Sequence, residues 1–240
     1  MIVETPRLLL LETSTGRSGF VALGEGPELR GLHRLDAARG HARDLTPAVK
    51  ALLEQAGWKP RDVHAVVVSR GPGSYTGLRV GVMSAKAFAY VTGCAVLGID
   101  TLAAIAAQAP ADISRLDVLA DAQQDKVYVQ PFAREADRWR PLSPLAIRRF
   151  AEWLSTREPA ACVTGPGVHK WAAQLPADTP RVDAALWEPQ ADSLLRLGLE
   201  RYLAGERDDL WALEPLYLRA SSAEEQWQRR SERRLSEPEA

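Results

Sequence analysis

A chain of 240 residues that is 46% hydrophobic and 25% charged has the make-up of an ordinary globular protein, which excludes a largely disordered, collagenous or coiled-coil chain. Thirty Lys plus Arg stand against 31 Asp plus Glu, a formal net charge of −1, so no global field marks it as a nucleic-acid or membrane binder. Its length suits one large domain or two small ones.

The N-terminal stretch carries Glu4 and Glu12 around four leucines and no basic segment, so no signal peptide is expected. Residues 7–34 then read as three β-like runs broken by polar or Gly-rich turns at Thr13–Gly19 and Gly24–Glu28. From Ala42 to Ala56, apolar residues at Leu45, Val49, Leu52, Leu53 and Ala56 follow the helical period, and Gly57 ends the helix. Ala65–Ser69 is a buried strand that runs into a Gly/Pro loop. A helix over about Ser74–Thr92, a strand at Cys94–Ile99 and a helix closed by Pro110 come next.

At Leu116 the plan restarts: a strand ending in an acid, a polar turn and a return strand. Helices are expected at Leu145–Ser155, Val168–Gln174 and Ala191–Leu203, with a strand at Ala161–Gly167. The expectation is α/β, two related halves, each a mixed sheet covered by helices. No apolar run approaches the length of a bilayer span, so no membrane segment and a cytoplasmic location are expected. Ser221–Ala240 holds five Glu and four Arg with only Trp227 and Leu235 as sizeable apolar groups, which predicts a charged flexible tail.

The densest motif is Ser69–Gly81, SRGPGSYTGLRVG, between a strand and a helix. Backbone N–H groups at such an entrance can hold an anion, which makes Arg70, Gly71, Gly73 and Arg79 candidate anion contacts. It is not a P-loop, since Gly-Lys-Ser/Thr is absent, and the spacing GxGxxxG misses the dinucleotide fingerprint by one residue. No GxSxG elbow is present, and the four histidines, 33, 41, 64 and 169, read as structural or solvated. Cys94 and Cys162 share no CxxC spacing and read as two reduced, buried thiols.

Gly77, Gly81, Ala85 and Phe88 share one helix face. Two mid-helix glycines, each costing about 1 kcal/mol against Ala, call for a close backbone approach, either by this chain's own sheet or by another subunit. The turn Glu12–Gly16 with Ser18 has the form of the first phosphate loop of actin-like ATPases and sugar kinases, with Glu12 where an Asp is usual.

Taken together, LLLLETSTGRSGFVALG, HARDLTPAVKALLEQAG, VVVSRGPGSYTGLRVGVMSAKAFAY, VLGIDTLAAIA, DAQQDKVY, TGPGV and EPLYLR resemble the bacterial family TsaB, also called YeaZ, over nearly the whole chain to about Arg219. The resemblance implies an actin-like (ASKHA) two-lobed fold, with an N-terminal lobe at 1–110, a C-terminal lobe at 111–220 and the tail at 221–240. It implies no independent catalysis and no cofactor or metal of its own. The implied partner is TsaD, which transfers a threonylcarbamoyl group to adenosine beside the tRNA anticodon, joined by the ATPase TsaE and supplied by TsaC. A second copy of the chain is the alternative partner, tRNA is reached through the complex, and ATP or ADP has room at the subunit joint.

The resemblance also implies that the two early helices pair with their equivalents in the partner, through Leu45, Val49, Leu52, Tyr75, Thr76, Gly77, Leu78, Gly81, Ala85 and Phe88. Two departures stand out. The family's Asp-Ala-Arg turn is here Asp121-Ala122-Gln123, and His41 is followed at i+4 by Leu45, so the transferase's paired-His metal site cannot form.

Overall fold

The computed structural model describes residues 5–36 and 41–218; the tail expected at 221–240 lies outside them. In the first half, β1 (Arg7–Glu12), β2 (Phe20–Glu25) and β3 (Glu28–Arg34) form an antiparallel meander. β4 (Ala65–Gly71) joins β1 in parallel and β5 (Ala95–Asp100) joins β4, giving the order β3-β2-β1-β4-β5. β1 lies in the middle of the sheet, and its four leucines alternate between two covered faces. That is why it reads as a continuous apolar run rather than as an alternation.

On one face Leu9, Leu11, Val66 and Val68 pack under α1 (His41–Ala56) and α2 (Tyr75–Thr92). Ser74 caps α2, its hydroxyl accepting from the Gly77 N–H at 3.2 Å, and Gly93 at φ 79° closes it in the left-handed conformation. α3 (Thr101–Ala107) leaves β5 and turns Leu102, Ile105 and Ala106 onto the second half.

There β6 (Arg115–Asp121), β7 (Lys126–Glu135) and β8 (Arg138–Pro141) repeat the meander. The expected helix at Leu145–Ser155 is instead β9 (Ala146–Arg149) followed by α4 (Phe150–Thr156). The reason is pairing: β8 takes only the far end of β7, and Ala146–Arg149 satisfies the backbone groups of Lys126–Val129 that β8 leaves open. β10 (Cys162–Thr164) adds in parallel to β6, and α5 (Val168–Trp171) runs into a short 3₁₀ turn, Ala172–Gln174.

α6 (Ala191–Leu203) corrects the expected lobe boundary. It returns to the first sheet, where Leu194 and Leu195 cover Leu8, Leu10, Val67 and Leu97. The later segment stays there too: Leu213 joins the core under α1 and α2, and Leu216 N–H donates to the Arg70 carbonyl at 2.7 Å. The first lobe is thus made of residues before about 110 and after about 190, and the second is inserted between them. Cys94 and Cys162 are free and half-buried, not fully buried as expected. Among the described residues, no helix is long and apolar enough to cross a membrane.

Candidate functional site

The strands β1, β4 and β6 all end at one cleft between the lobes, of about 630 Å³, lined by the turn Ser14–Arg17, the α2 entrance Pro72–Thr76, the second-lobe turn Ala120–Gln123, Tyr128 and Tyr217. β1 ends at Glu12, two residues before this lining begins and enclosed beneath it. Burial there is complete, and both carboxylate oxygens are bonded within the protein: Oε1 accepts the Ser14 N–H at 2.6 Å and the Ser14 hydroxyl at 2.5 Å, and Oε2 accepts the Ser69 hydroxyl. Burial pushes this carboxyl above its ordinary range, while the Ser14 and Ser69 bonds oppose the rise. Ser69, at the end of β4, shows in the sequence only as the last residue of a strand.

The next residue, Thr13, explains the glycines of α2. Its hydroxyl donates to the Gly77 carbonyl at 2.8 Å. A Cβ on Gly77 would collide with the Thr13 carbonyl, and one on Gly81 with the Thr13 hydroxyl. Gly77, Leu78, Gly81 and Ala85 are therefore buried against this chain's own sheet, which corrects their expected place on a subunit interface. Leu45 and Leu52 are likewise buried core residues; Val49, Tyr75 and Phe88 are half-buried and Thr76 is exposed.

The candidate anion contacts are bonded within the chain. Arg70 pairs with Asp100 at 2.6 Å, and Arg79 lies 4.3 Å from the Tyr75 ring centre and donates from Nε to the Tyr217 hydroxyl at 3.1 Å. Gly71 sits at φ 117°, and Gly73 is pressed against the Ser14 carbonyl, which accepts the Ser74 N–H at 2.7 Å. The Gly/Pro loop thus closes onto the first turn. On the other wall Asp121 accepts from Lys170 at 2.9 Å, and Gln123, Gln124 and Asp125 all adopt left-handed backbone conformations. Glu188, absent from the sequence-level candidates, bridges the lobes: one oxygen accepts the Ser18 hydroxyl at 3.1 Å and the other lies 3.3 Å from His169 Nε2.

What faces outward from α2 is a different stripe, Thr76, Met83, Ala87, Tyr90 and Val91, with α1 packed alongside. Met83, Tyr90 and Val91 are 62%, 68% and 74% exposed, and Trp211 stands against Tyr90 with ring centres 5.8 Å apart. With Trp211, 72% exposed, these side chains leave an apolar band in water. Among the described residues, no three His, Cys, Asp or Glu side chains lie together as a metal site, and the side chain of His41 is outside that description.

Two halves of one plan, each meander followed by a parallel strand, meeting at a cleft built from their strand ends, define a two-lobed actin-like (ASKHA) protein. A family model described as "TsaD: tRNA N6-adenosine threonylcarbamoyltransferase" matches residues 27–227. A Mycobacterium tuberculosis protein is 36% identical over 214 residues, covering 83% of this chain and 94% of its own. The "tRNA threonylcarbamoyladenosine biosynthesis protein TsaB" of Bacillus subtilis is 29% identical over 79% of this chain and 84% of its own. The solved structure of YeaZ from Pseudomonas aeruginosa superposes with a TM-score of 0.76 at 29% identity, over 89% of this chain and all of that one. The chain belongs to the family that the model describes and, within it, to the TsaB (YeaZ) group.

Proposed function

We propose that this chain is a non-catalytic subunit in the synthesis of threonylcarbamoyladenosine in tRNA, docking a TsaD-type transferase through the outward stripe of α2 together with α1. A TsaE-type ATPase joins this complex, and ATP or ADP fits at the subunit joint rather than as a cofactor of this chain alone. The observation that carries the reading is Glu12. Where an actin-like catalyst turns an acid toward phosphate and metal, this carboxyl is enclosed by Ser14 and Ser69 and held toward its neutral form. A group so placed neither activates water nor binds a cation. The outward apolar stripe of α2 gives such a protein the remaining means of acting, which is to stabilise one state of a partner.

The test is mass spectrometry of digested tRNA from cells depleted of the protein, with transferase levels checked in parallel. Threonylcarbamoyladenosine should fall. Glu12→Gln should restore it and Met83→Glu should not. Hydrolytic turnover by the purified chain that disappears in Glu12→Gln would overturn the non-catalytic assignment, and normal tRNA after depletion would overturn the biosynthetic one.

A further inference from the structure

Glu188 stands on the segment that returns from the second lobe to the first. Its main chain is anchored there, the carbonyl accepting the side-chain amides of Gln108 and Gln190 at 2.7 and 3.1 Å. Its side chain, only 12% exposed, reaches both lobes. Oε2 accepts the hydroxyl of Ser18, in the β1–β2 turn of the first lobe, at 3.1 Å. Oε1 lies 3.3 Å from Nε2 of His169, on α5 of the second, yet it is enclosed and has no hydrogen-bond partner. The attachment to the first lobe is complete, and the attachment to the second is not.

An enclosed carboxylate oxygen without a donor is unfavourable, and the imidazole beside it is the group able to correct this, because its charge changes between about pH 5 and 8. As a cation it carries N–H on both ring nitrogens and attracts the carboxylate across the gap; as a neutral ring it brings no charge to the pair. Trp187 braces the ring edge-to-face, with centres 5.0 Å apart, and is itself fixed by its indole N–H donating to the Val182 carbonyl at 2.8 Å. The other charges around the pair do not hold it. Lys170, next to His169, is taken by Asp121 at 2.9 Å, Glu12 is a like charge to Glu188 when ionised, and Arg17, from the first turn, is exposed on the cleft wall.

We propose that His169 and Glu188 form a pH-operated clasp between the lobes. With the imidazole protonated the clasp is closed and the interlobe cleft is narrow; with it neutral, Glu188 is held by Ser18 alone and the lobes move apart. The proposal is independent of the tRNA role. The test places spin labels on the full chain at Glu28→Cys on β3 and Glu152→Cys on α4, both exposed, in a Cys94→Ala, Cys162→Ala background. Electron–electron resonance then reads the distance between the labels at about pH 5.5 and about pH 8.5, on either side of the ordinary imidazole value. The distance should lengthen at the higher pH, and should do so equally in Glu12→Gln, while in Glu188→Gln and His169→Gln it should be long at both. The Trp187 indole N–H resonance, identified by its loss in Trp187→Phe, reports that His169 has changed charge within the window. A resonance that stays still, a distance that stays fixed while the resonance moves, a pH response that survives in Glu188→Gln, or one that is lost in Glu12→Gln would each overturn the proposal.

Discussion

Gln108, just past the end of α3, receives the main-chain N–H of Gln190 on its side-chain carbonyl at 3.1 Å. The same oxygen accepts the Ser193 hydroxyl at 3.1 Å, and the amide nitrogen donates to the carbonyls of Leu186 and Glu188, each at 2.7 Å. One side chain at the outgoing crossing between lobes thus secures the returning one.

Gln108→Ala should therefore lower stability by about 1–3 kcal/mol, because it strands backbone groups of the crossing. Gln108→Glu should be no better, since a carboxylate supplies no donor for the Leu186 and Glu188 carbonyls. Chemical denaturation of the two variants checks this; unchanged midpoints in both would show that the crossing is held by other contacts.

At the α2–β1 contact the two glycines should differ. A methyl on Gly77 meets the Thr13 backbone, which cannot move without displacing β1, whereas one on Gly81 meets a hydroxyl that can rotate at the expense of its bond to Gly77. Gly77→Ala should cost about 3 kcal/mol, the upper end for overpacking, and Gly81→Ala about 1. Thermal melts that rank them in the reverse order would refute this account of the contact.

Docking should instead respond to the outward residues. Met83→Glu and Tyr90→Glu place charge on a surface already in water, so the melting temperature should hold while affinity for a TsaD-type partner drops by about tenfold or more. Calorimetric titration with purified transferase decides the matter, and binding intact in both variants would remove the stripe from the interface.

Glu12 makes stability depend on pH. Its folded value lies above the ordinary 4.5, so the folded state holds the proton more tightly than the unfolded chain. The stability linked to that proton is complete below pH 4.5 and is lost as pH rises through the folded value. Glu12→Gln has nothing to titrate, so it should flatten that slope and gain on the parent toward neutral pH. Urea midpoints across this window should diverge; parallel curves would mean that other groups set the slope.

Much of the architecture was legible in the chain. The leucine run at Leu8–Leu11 announces a strand covered on both sides, and α6 spans the expected Ala191–Leu203 because its apolar spacing is uninterrupted. β9 was not, since four residues with two arginines look like the start of the helix they precede, and only the open flank of β7 makes them a strand. The glycines of α2 declare a close approach but not by which backbone; Thr13 is distant in sequence, and short-range pattern carries no such information. Glu188 and Gln108 were invisible for the same reason. A polar residue between elements looks solvated until the second lobe brings its partners to it.

The return of α6 to the first sheet also has a consequence for the order in which the protein is made. On the ribosome the strands β1, β4 and β5 emerge early, but Leu194 and Leu195, which cover Leu8, Leu10, Val67 and Leu97, emerge only after the whole inserted lobe. Through that interval one side of the first sheet stays bare of its main cover. A nascent chain halted before Ala191 presents that side to whatever is near, so the time spent translating the second lobe is the time in which the first is most open to capture by chaperones or to aggregation.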